Sequence, residues 1–106
     1  MEADLPVTSR QLKRILKRTG VGIARTGGYT GHGSGEVMIG FTTANRIPSG
    51  YEEELVQISA IPENIIDRAF LAAAEAEQEA ILNSMTAAEQ IRGIAGELYY
   101  SLAEYL

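Results

Sequence analysis

Apolar side chains recur at helical spacing near the start of the chain: Leu12, Ile15 and Leu16. Just before them, Thr8 and Gln11 fit the Thr-x-x-Gln pattern of a capping box, in which each residue satisfies a backbone N–H of the other. Gly20 stands where a helix often ends on a left-handed residue. The pattern therefore predicts a first helix that begins after Thr8 and ends near Arg18.

Three segments have the apolar runs or alternation of β-strands: residues 21–25, 36–44 and 55–61. In the second, Val37, Ile39 and Phe41 mark one face and the opposite face is nearly as apolar, which predicts a strand buried on both sides. Residues 45–51 have the composition of a turn, and the glutamates at 52–54 continue it as a solvated acidic run.

A long helix is predicted after Pro62, which suits a first helical position. Glu63 and Asp67 follow near the positive end of the helix dipole, and the helix should reach at least Asn83. Small residues form a stripe along it, which we call the alanine stripe: Ala69, Ala72, Ala73, Ala76 and Ala80. Such a stripe lets another helix or a sheet approach closely. The segment 98–100, beyond two glycines, is left unassigned.

Length and composition indicate one globular domain over residues 1–106. The chain has 45% hydrophobic and 22% charged residues, and no apolar run approaches the roughly 20 residues of a membrane span. Its acidic start, Met1 to Asp4, lacks the basic and apolar regions of a signal peptide. We therefore expect a cytoplasmic protein that does not bind membranes.

Metal and nucleic-acid sites are not favoured by the residue inventory. The chain has no cysteine and a single histidine, His32, so a thiolate zinc site or a histidine cluster is excluded, and we expect no metal and no cofactor. Residues 1–62 carry 7 basic and 6 acidic side chains, whereas residues 63–106 carry 2 and 8, which gives +1 and −6. Five basic residues crowd the first helix, but they occupy its solvent face, so we expect no nucleic-acid partner.

A loop with five glycines joins Arg25 to Glu36 and is the strongest candidate for a functional site. It presents Ser34 and Glu36 with one residue between them, a spacing that aims both side chains to the same side of an extended segment. A hydroxyl and a carboxylate in that arrangement are suited to acid–base chemistry or to binding.

Two other interpretations of this loop are weaker. A phosphate cradle would end in Gly-Lys-Ser/Thr, whereas this loop ends on the Glu36 carboxylate, which repels phosphate. A triad of Ser34, His32 and Glu36 has the right residue types, but a two-residue spacing does not present an imidazole nitrogen to the hydroxyl. For His32 we favour an exposed loop residue without a catalytic role.

Several blocks, in order and at their spacing, resemble the C-terminal, or β, subunit of the L-aminopeptidase/D-esterase family, also called the DmpA-type peptidases. These blocks are Asp4-Leu5-Pro6, Arg10-Gln11-Leu12-Lys13-Arg14, Gly22-Ile23-Ala24-Arg25-Thr26-Gly27-Gly28, Gly33-Ser34-Gly35-Glu36 and Phe41-Thr42-Thr43-Ala44-Asn45. The later segments Glu79-Ala80-Ile81-Leu82-Asn83 and Ala87-Ala88-Glu89 are similar to the same family. The resemblance covers nearly the whole chain.

The resemblance implies an α/β fold and catalysis by an N-terminal nucleophile. Family members are precursors that cleave themselves, expose a serine or threonine nucleophile at a new N-terminus, and fold as an αββα sandwich shared with ornithine acetyltransferases. Ser34 and Glu36 match the family's second serine and its glutamate, beside that nucleophile. Ser34 would then relay the nucleophile's proton, and Glu36 would bind the ammonium group of the substrate or complete the relay.

The resemblance also implies that important parts lie outside this sequence. The family's nucleophile should lie a few residues before Met1, and the α-subunit should supply pocket and oxyanion groups. Ser9 is no substitute, because it falls at the start of the first helix. We expect residues 1–106 to be the C-terminal part of a larger self-processed enzyme.

Two functions stay open on the sequence alone. The chain is part of an N-terminal-nucleophile aminopeptidase or amidase that takes small peptides or aminoacyl amides and esters, or it is a non-catalytic assembly or ligand-binding domain that keeps the fold. Its partner would be the α-subunit or upstream segment of the same precursor. Open sheet edges should also drive the chain to form an oligomer.

Overall fold

A computed structural model describes residues 1–50 and 55–106, a mixed α/β arrangement. The helices are α1 (Ser9–Lys17), α2 (Thr19–Arg25) and α3 (Ile66–Ala87). The strands are β1 (Glu2–Ala3), β2 (Phe41–Thr42), β3 (Ile91–Arg92) and β4 (Leu98–Tyr99). Short 3-10 turns cover Glu63–Ile65 and Leu102–Tyr105. The predicted acidic run at 52–54 lies outside the described residues.

Helix α1 confirms the predicted first helix together with its cap. The Gln11 N–H donates to Thr8 Oγ1 and the Thr8 N–H donates to Gln11 Oε1, both at 3.2 Å, so the capping box is complete. Gln11 is only 3% exposed, and its Nε2 also donates to the Ile61 carbonyl at 2.8 Å. Gln11, which completes the cap of α1, therefore also attaches this helix to the segment before α3.

The predicted strand at 21–25 is wrong, because these residues form helix α2. Gly20 lies inside that helix and does not end α1. The left-handed glycine is Gly27, with φ of 102°. Its N–H donates to the Ala24 carbonyl and the Gly28 N–H donates to the Ile23 carbonyl, both at 3.1 Å, which is the Schellman pattern at the end of α2.

Packing against α3 explains why this segment is helical. A Cβ on Gly22 would lie 2.6 Å from the Ala74 carbonyl oxygen and 2.7 Å from Glu77 Cβ, so only glycine permits α2 to approach α3 this closely. Helix–helix contact thus overrides the strand propensity of Val21 and Ile23. The close approach to α3 that the alanine stripe predicted occurs, beside the stripe, at Ala74.

The predicted strand at 36–44 is only partly formed. β1 and β2 pair in parallel, with Glu2 opposite Phe41, and the backbone hydrogen bonds extend from Ile39 to Thr43. The helix-facing side packs closely as expected, since a Cβ at Gly40 would lie 2.8 Å from Leu16 Cδ2. The prediction of burial on both sides is wrong: Val37 is 97% and Ile39 83% exposed, because no element among the described residues covers the outer face.

The predicted strand at 55–61 is not formed in the part of the chain that the structure describes. Leu55 is 84% exposed, and burial begins only at Ile61. This segment is held by Asn45, whose Nδ2 donates to the Val7 carbonyl at 3.0 Å and to the Ser59 carbonyl at 2.8 Å. The Ser59 N–H donates back to Asn45 Oδ1 at 2.9 Å. The Asn45 side chain, and not the backbone hydrogen bonds of a β-sheet, therefore holds this segment in place.

Helix α3 confirms the predicted long helix, which continues past Asn83 to Ala87. Pro62 lies one residue before the 3-10 turn that leads into it. The core lies between α1, α3 and the end of the N-terminal segment. Within residues 1–50 and 55–106 its buried members are Val7, Ile15, Ile61, Ile66 and Ala73.

A small hairpin follows α3. β3 and β4 pair antiparallel, with Ile91 opposite Tyr99, and Gly96 takes a φ of 87° in the turn between them. The segment at 98–100, unassigned from the sequence, therefore belongs in part to a strand. The buried Ser101 then leads into the C-terminal 3-10 turn.

Candidate functional site

Ser34 and Glu36 contact each other directly. The Ser34 hydroxyl donates a hydrogen bond to Glu36 Oε1 at 2.8 Å, and both residues are exposed to solvent. The Ser34 N–H donates to the Gly31 carbonyl at 2.9 Å, which closes a turn with His32 and Gly33 at its corners. The loop turns at Gly31 to Ser34 and leaves this turn in the direction of β2.

The loop that carries this pair has positive φ angles at two residues, one a glycine and one not. Gly27 ends α2 in the left-handed region, and Thr30 takes a φ of 51°, which is uncommon for a β-branched residue. Backbone strain of this kind is concentrated at functional loops, where the surrounding structure enforces it. The dense glycines are therefore accompanied by real backbone irregularity, as the sequence indicated.

The hydrogen bond gives the two groups distinct chemical capacities. Because the Ser34 proton points to Glu36, the lone pairs of Ser34 Oγ are directed elsewhere and can accept a proton from a third group. Glu36 accepts that bond through Oε1, and a carboxylate has two oxygens, so its Oε2 has acceptor capacity for a cation. The pair can act as a proton relay and as a cation-binding group at once.

Glu36 also lies at the edge of a cavity of about 510 Å³ between the segment 36–39 and the helices. The walls are mostly apolar: Met1, Leu16, Thr19, Ile23, Val37, Met38, Ile39, Ala73, Ala76 and Ala80, with Glu77 as a second carboxylate. Sequence reasoning missed Glu77, which was counted only among the 8 acidic residues of the segment 63–106. Its spacing from Ala73 and Ala80, which places it beside the alanine stripe, could have indicated its position.

His32 does not join Ser34 and Glu36. It is exposed in the turn, and the partner of the Ser34 hydroxyl is the carboxylate. No hydrogen bond of the His32 ring is found within the described residues. The geometry therefore agrees with the interpretation of His32 as an exposed loop residue and gives no support to a Ser34, His32 and Glu36 triad.

Among the described residues, a clear shift of a carboxyl pKa is found away from the loop, at Glu63. Arg14 Nη1 contacts Glu63 Oε2 at 2.5 Å and Arg10 contacts the other carboxylate oxygen. The hydrogen bond from Arg14 is the main reason that the pKa of Glu63 lies below its ordinary value. Desolvation opposes this effect in part, and the charge of Arg10 adds to the lowering. These contacts attach α1 to the start of α3, which is a structural role.

Metal-binding clusters and membrane-spanning helices are both absent from residues 1–50 and 55–106. No group of three or more acidic or histidine side chains could hold a metal ion. No helix in this part of the chain is long and apolar enough to cross a membrane.

Comparison with known proteins identifies the family. The model of the family described as Peptidase family S58 matches residues 1–99. The chain belongs to this family. This chain is 33% identical over 96 residues to a relative named as the β-peptidyl aminopeptidase BapA of Sphingosinicella microcystinivorans. It is 29% identical over 100 residues to the BapA of Sphingosinicella xenopeptidilytica.

These matches cover 91% and 93% of this chain but only 24% and 25% of the relatives. The chain thus spans about a quarter of the length of the relatives it matches.

Solved structures show the same fold. A protein of Pyrococcus horikoshii OT3 matches with a TM-score of 0.87 and 46% identity, over 97% of this chain and 29% of that protein. The L-aminopeptidase D-Ala-esterase/amidase of Ochrobactrum anthropi matches with a TM-score of 0.83 and 34% identity, over 94% of this chain and 29% of that one. The latter is described as a variant of the Ntn hydrolase fold. The predicted fold class is confirmed: this chain is an α/β portion of that fold.

Proposed function

We propose that this chain is part of an N-terminal-nucleophile aminopeptidase or amidase that acts on aminoacyl amides or esters from the free-amine end. The observation that carries the proposal is the 2.8 Å hydrogen bond from Ser34 Oγ to Glu36 Oε1 in the glycine-rich loop. Membership in Peptidase family S58 and the aminopeptidase activities named for its relatives support it. The nucleophile would be a residue outside residues 1–106.

In this proposal Ser34 is the proton relay. The nucleophile's hydroxyl oxygen forms a bond to the carbonyl carbon of the substrate, its proton passes to Ser34 Oγ, and the Ser34 proton passes to Glu36. The proton then returns along the same path to the leaving amine as the carbon–nitrogen bond breaks. Water repeats the sequence on the acyl-enzyme and releases the free acid.

Glu36 has a second role in the proposal, which is recognition of the substrate's ammonium group. An enzyme that releases N-terminal residues must distinguish a free amine from a blocked one, and a carboxylate is the natural partner of an ammonium ion. A charge-assisted hydrogen bond of this kind contributes about 1.5–3 kcal/mol. The cavity beside Glu36 would shelter that contact from water.

Kinetics of the complete enzyme test both roles. Glu36→Gln should slow both kinds of substrate, because Glu36 ends the relay, and should lower kcat/KM for substrates with a free amine by a further factor of about ten to a hundred relative to their N-acetylated analogues. Ser34→Ala should slow both substrates, because the relay serves the nucleophile whatever the substrate carries. His32→Ala, two residues from Ser34, is the matched control and should leave both rates unchanged.

Three outcomes would change the proposal. Equal losses for free and blocked substrates in Glu36→Gln would place that carboxylate in the relay alone. No loss in either the Ser34 or the Glu36 variant would reduce the loop to a structural turn and favour a non-catalytic assembly domain. Hydrolysis of aminoacyl p-nitroanilides by the isolated 106-residue chain, undiminished by Ser34→Ala, would mean that the nucleophile is wrongly assigned.

A further inference from the structure

The cavity beside Glu36 contains a second carboxylate that the proposed mechanism does not use. Glu36 comes from the glycine-rich loop and Glu77 from α3, and both line the same space of about 510 Å³. Apart from Thr19, the other lining side chains are apolar. No lysine or arginine side chain of the described residues is among them. The cavity therefore offers two negative charges within largely apolar walls.

Glu77 has no partner of its own in the part of the chain that the structure describes. Its side chain is half-buried, and it forms none of the hydrogen bonds or ion pairs found there. Its oxygens remain accessible, because no buried side-chain oxygen or nitrogen in residues 1–50 and 55–106 lacks a hydrogen-bond partner. Glu63, by contrast, is occupied by Arg10 and Arg14. Glu77 can therefore bind a cation that enters the cavity.

Packing of α2 holds the base of the Glu77 side chain in position. A Cβ on Gly22 would lie 2.7 Å from Glu77 Cβ, so the α2 backbone packs directly on the first carbon of this side chain. A side chain that is held in this way loses less conformational entropy when its carboxylate binds a ligand. Glu77 is therefore better suited to select a ligand than a mobile charge on the surface.

The dimensions of the cavity fit an extended chain with a positive charge at each end. A volume of 510 Å³ corresponds to a sphere about 10 Å across. The two ammonium groups of an extended lysine lie about 7 Å apart, and the side chain between them consists of methylene groups. Ala73, Ala76 and Ala80 of the alanine stripe line the cavity and leave room for those methylene groups.

We infer that Glu77 binds the side-chain ammonium group of a substrate whose N-terminal residue is lysine or a similar basic amino acid. Glu36 holds the α-ammonium group of the same residue, so this inference rests on the proposed function and names its substrate class. The methylene groups of the substrate contact the alanines, and its terminal ammonium group forms an ion pair with Glu77. Glu77 is then a specificity-determining residue.

A metal ion is a poorer occupant of this cavity. Calcium takes about six to eight oxygen ligands, and magnesium keeps several waters that apolar walls cannot replace. Within the described residues, no group of three or more acidic or histidine side chains could hold a metal ion. An organic cation needs only one carboxylate at each end, and its methylene groups gain from contact with the apolar walls.

Charge should decide which side chains are accepted. An apolar side chain of similar length would leave the Glu77 carboxylate unpaired beside it, which costs free energy. An acidic side chain would in addition be repelled. We therefore expect lysine to be preferred to norleucine, which has the same carbon chain without the ammonium group, and glutamate to be rejected.

Equilibrium binding tests the inference without turnover. Lysinamide and norleucinamide are titrated calorimetrically into the product of the complete natural gene that carries Ser34→Ala, which removes the proposed relay. The same titrations are made with Glu77→Gln added, a change that removes the charge and keeps the shape. Glu75→Gln is the matched control, because Glu75 is exposed on the same helix and lies outside this cavity.

Lysinamide should bind at least about tenfold more tightly than norleucinamide, because a hydrogen bond between charged groups contributes at least this much. Glu77→Gln should abolish most of this preference, and Glu75→Gln should keep it. Glu77→Lys gives a second readout that a merely structural role would not move. This variant should bind isoglutamine, the α-amide of glutamate, more tightly than lysinamide.

Four results overturn the inference. These are equal binding of the two amides before Glu77 is changed, a lysine preference that survives Glu77→Gln, an equal loss of that preference in Glu75→Gln, and no binding of either amide. Failure of the catalytic proposal is recognised separately. It appears as unchanged turnover of aminoacyl p-nitroanilides in Ser34→Ala, which does not alter the ratio of the two binding constants.

Discussion

The helical layer and the extended segments of this protein have similar apolar patterns but opposite burial. Ile15 in α1 is 4% exposed and Ile66 in α3 is 3% exposed, whereas Ile39, in an equally apolar stretch before β2, is 83% exposed. The helices find their partners within the described chain, because α1, α2 and α3 pack on one another. A hydrophobic pattern thus indicates which face is to be buried and does not tell which polypeptide will bury it.

The dimensions of the molecule agree with this contrast. The radius of gyration is 18.6 Å, while a compact domain of this length has one of about 13 Å. The longest axis measures 60 Å against 33 and 29 Å for the other two. Within the described residues, a single small core lies in the helical layer, and much apolar surface lies outside it.

The sharpest test of the comparison is one substitution made in both regions. Ile15→Ala should lower the free energy of unfolding by about 2–5 kcal/mol, because it removes buried methyl groups and leaves a cavity. Ile39→Ala should change it by less than about 0.5 kcal/mol in the isolated chain. Urea denaturation of both variants measures the difference, and similar losses would show that the outer face of the segment before β2 is covered in solution.

The glycines of α2 offer a second matched pair. A Cβ at position 22 meets the α3 backbone, so Gly22→Ala should cost about 1–2 kcal/mol net of its gain in helix propensity. At position 20 the nearest atom is Met38 Cε at 3.6 Å, an ordinary contact, so Gly20→Ala should stabilise by about 0.5–1 kcal/mol. Thermal unfolding of the two variants should shift in opposite directions. Stabilisation of both would contradict the close approach of α2 to α3.

Asn45 links the two regions, since it holds the exposed segment near Ser59 to the N-terminal segment at Val7. Asn45→Ala should cost about 1 kcal/mol and speed amide exchange at Ser59. Asn45→Asp is the informative control. Its carboxylate would face two carbonyl oxygens, so this variant should be no more stable than Asn45→Ala. Full stability in the aspartate variant would show that the two amide donations contribute little.

The smallest expected effect is the contribution of Glu63 to the pH dependence of folding stability. Because the arginines lower the pKa of this carboxyl in the folded state, its stabilising contribution is present above its ordinary value of 4.5 and disappears as the pH falls through the folded-state pKa. Glu63→Gln should therefore reduce stability at neutral pH and differ little from the parent in strong acid. Chemical denaturation at both pH values measures this, and salt should weaken the effect. A difference that persists in acid would assign it to packing.

The candidate site was predicted in part from the sequence. The pairing of Ser34 with Glu36 followed from a one-residue spacing in a glycine-rich loop, and the structure places the two in contact. Glu77 at the edge of the same cavity was not predicted, because it comes from α3, about 40 residues away along the chain. Proximity across such a distance depends on how α2 packs on α3, which no local spacing encodes.

Local signals in the sequence determined α1 and α3. The capping box of Thr8 and Gln11 and the apolar spacing after it act within a few residues, so the sequence suffices there. Only the tertiary structure decided the conformation of residues 21–25 and the exposure of residues 36–41. The first depends on contact of Gly22 with α3, and the second depends on whether another layer covers the sheet. Both are long-range effects, which outweigh intrinsic strand propensity because burial contributes more free energy than local preference.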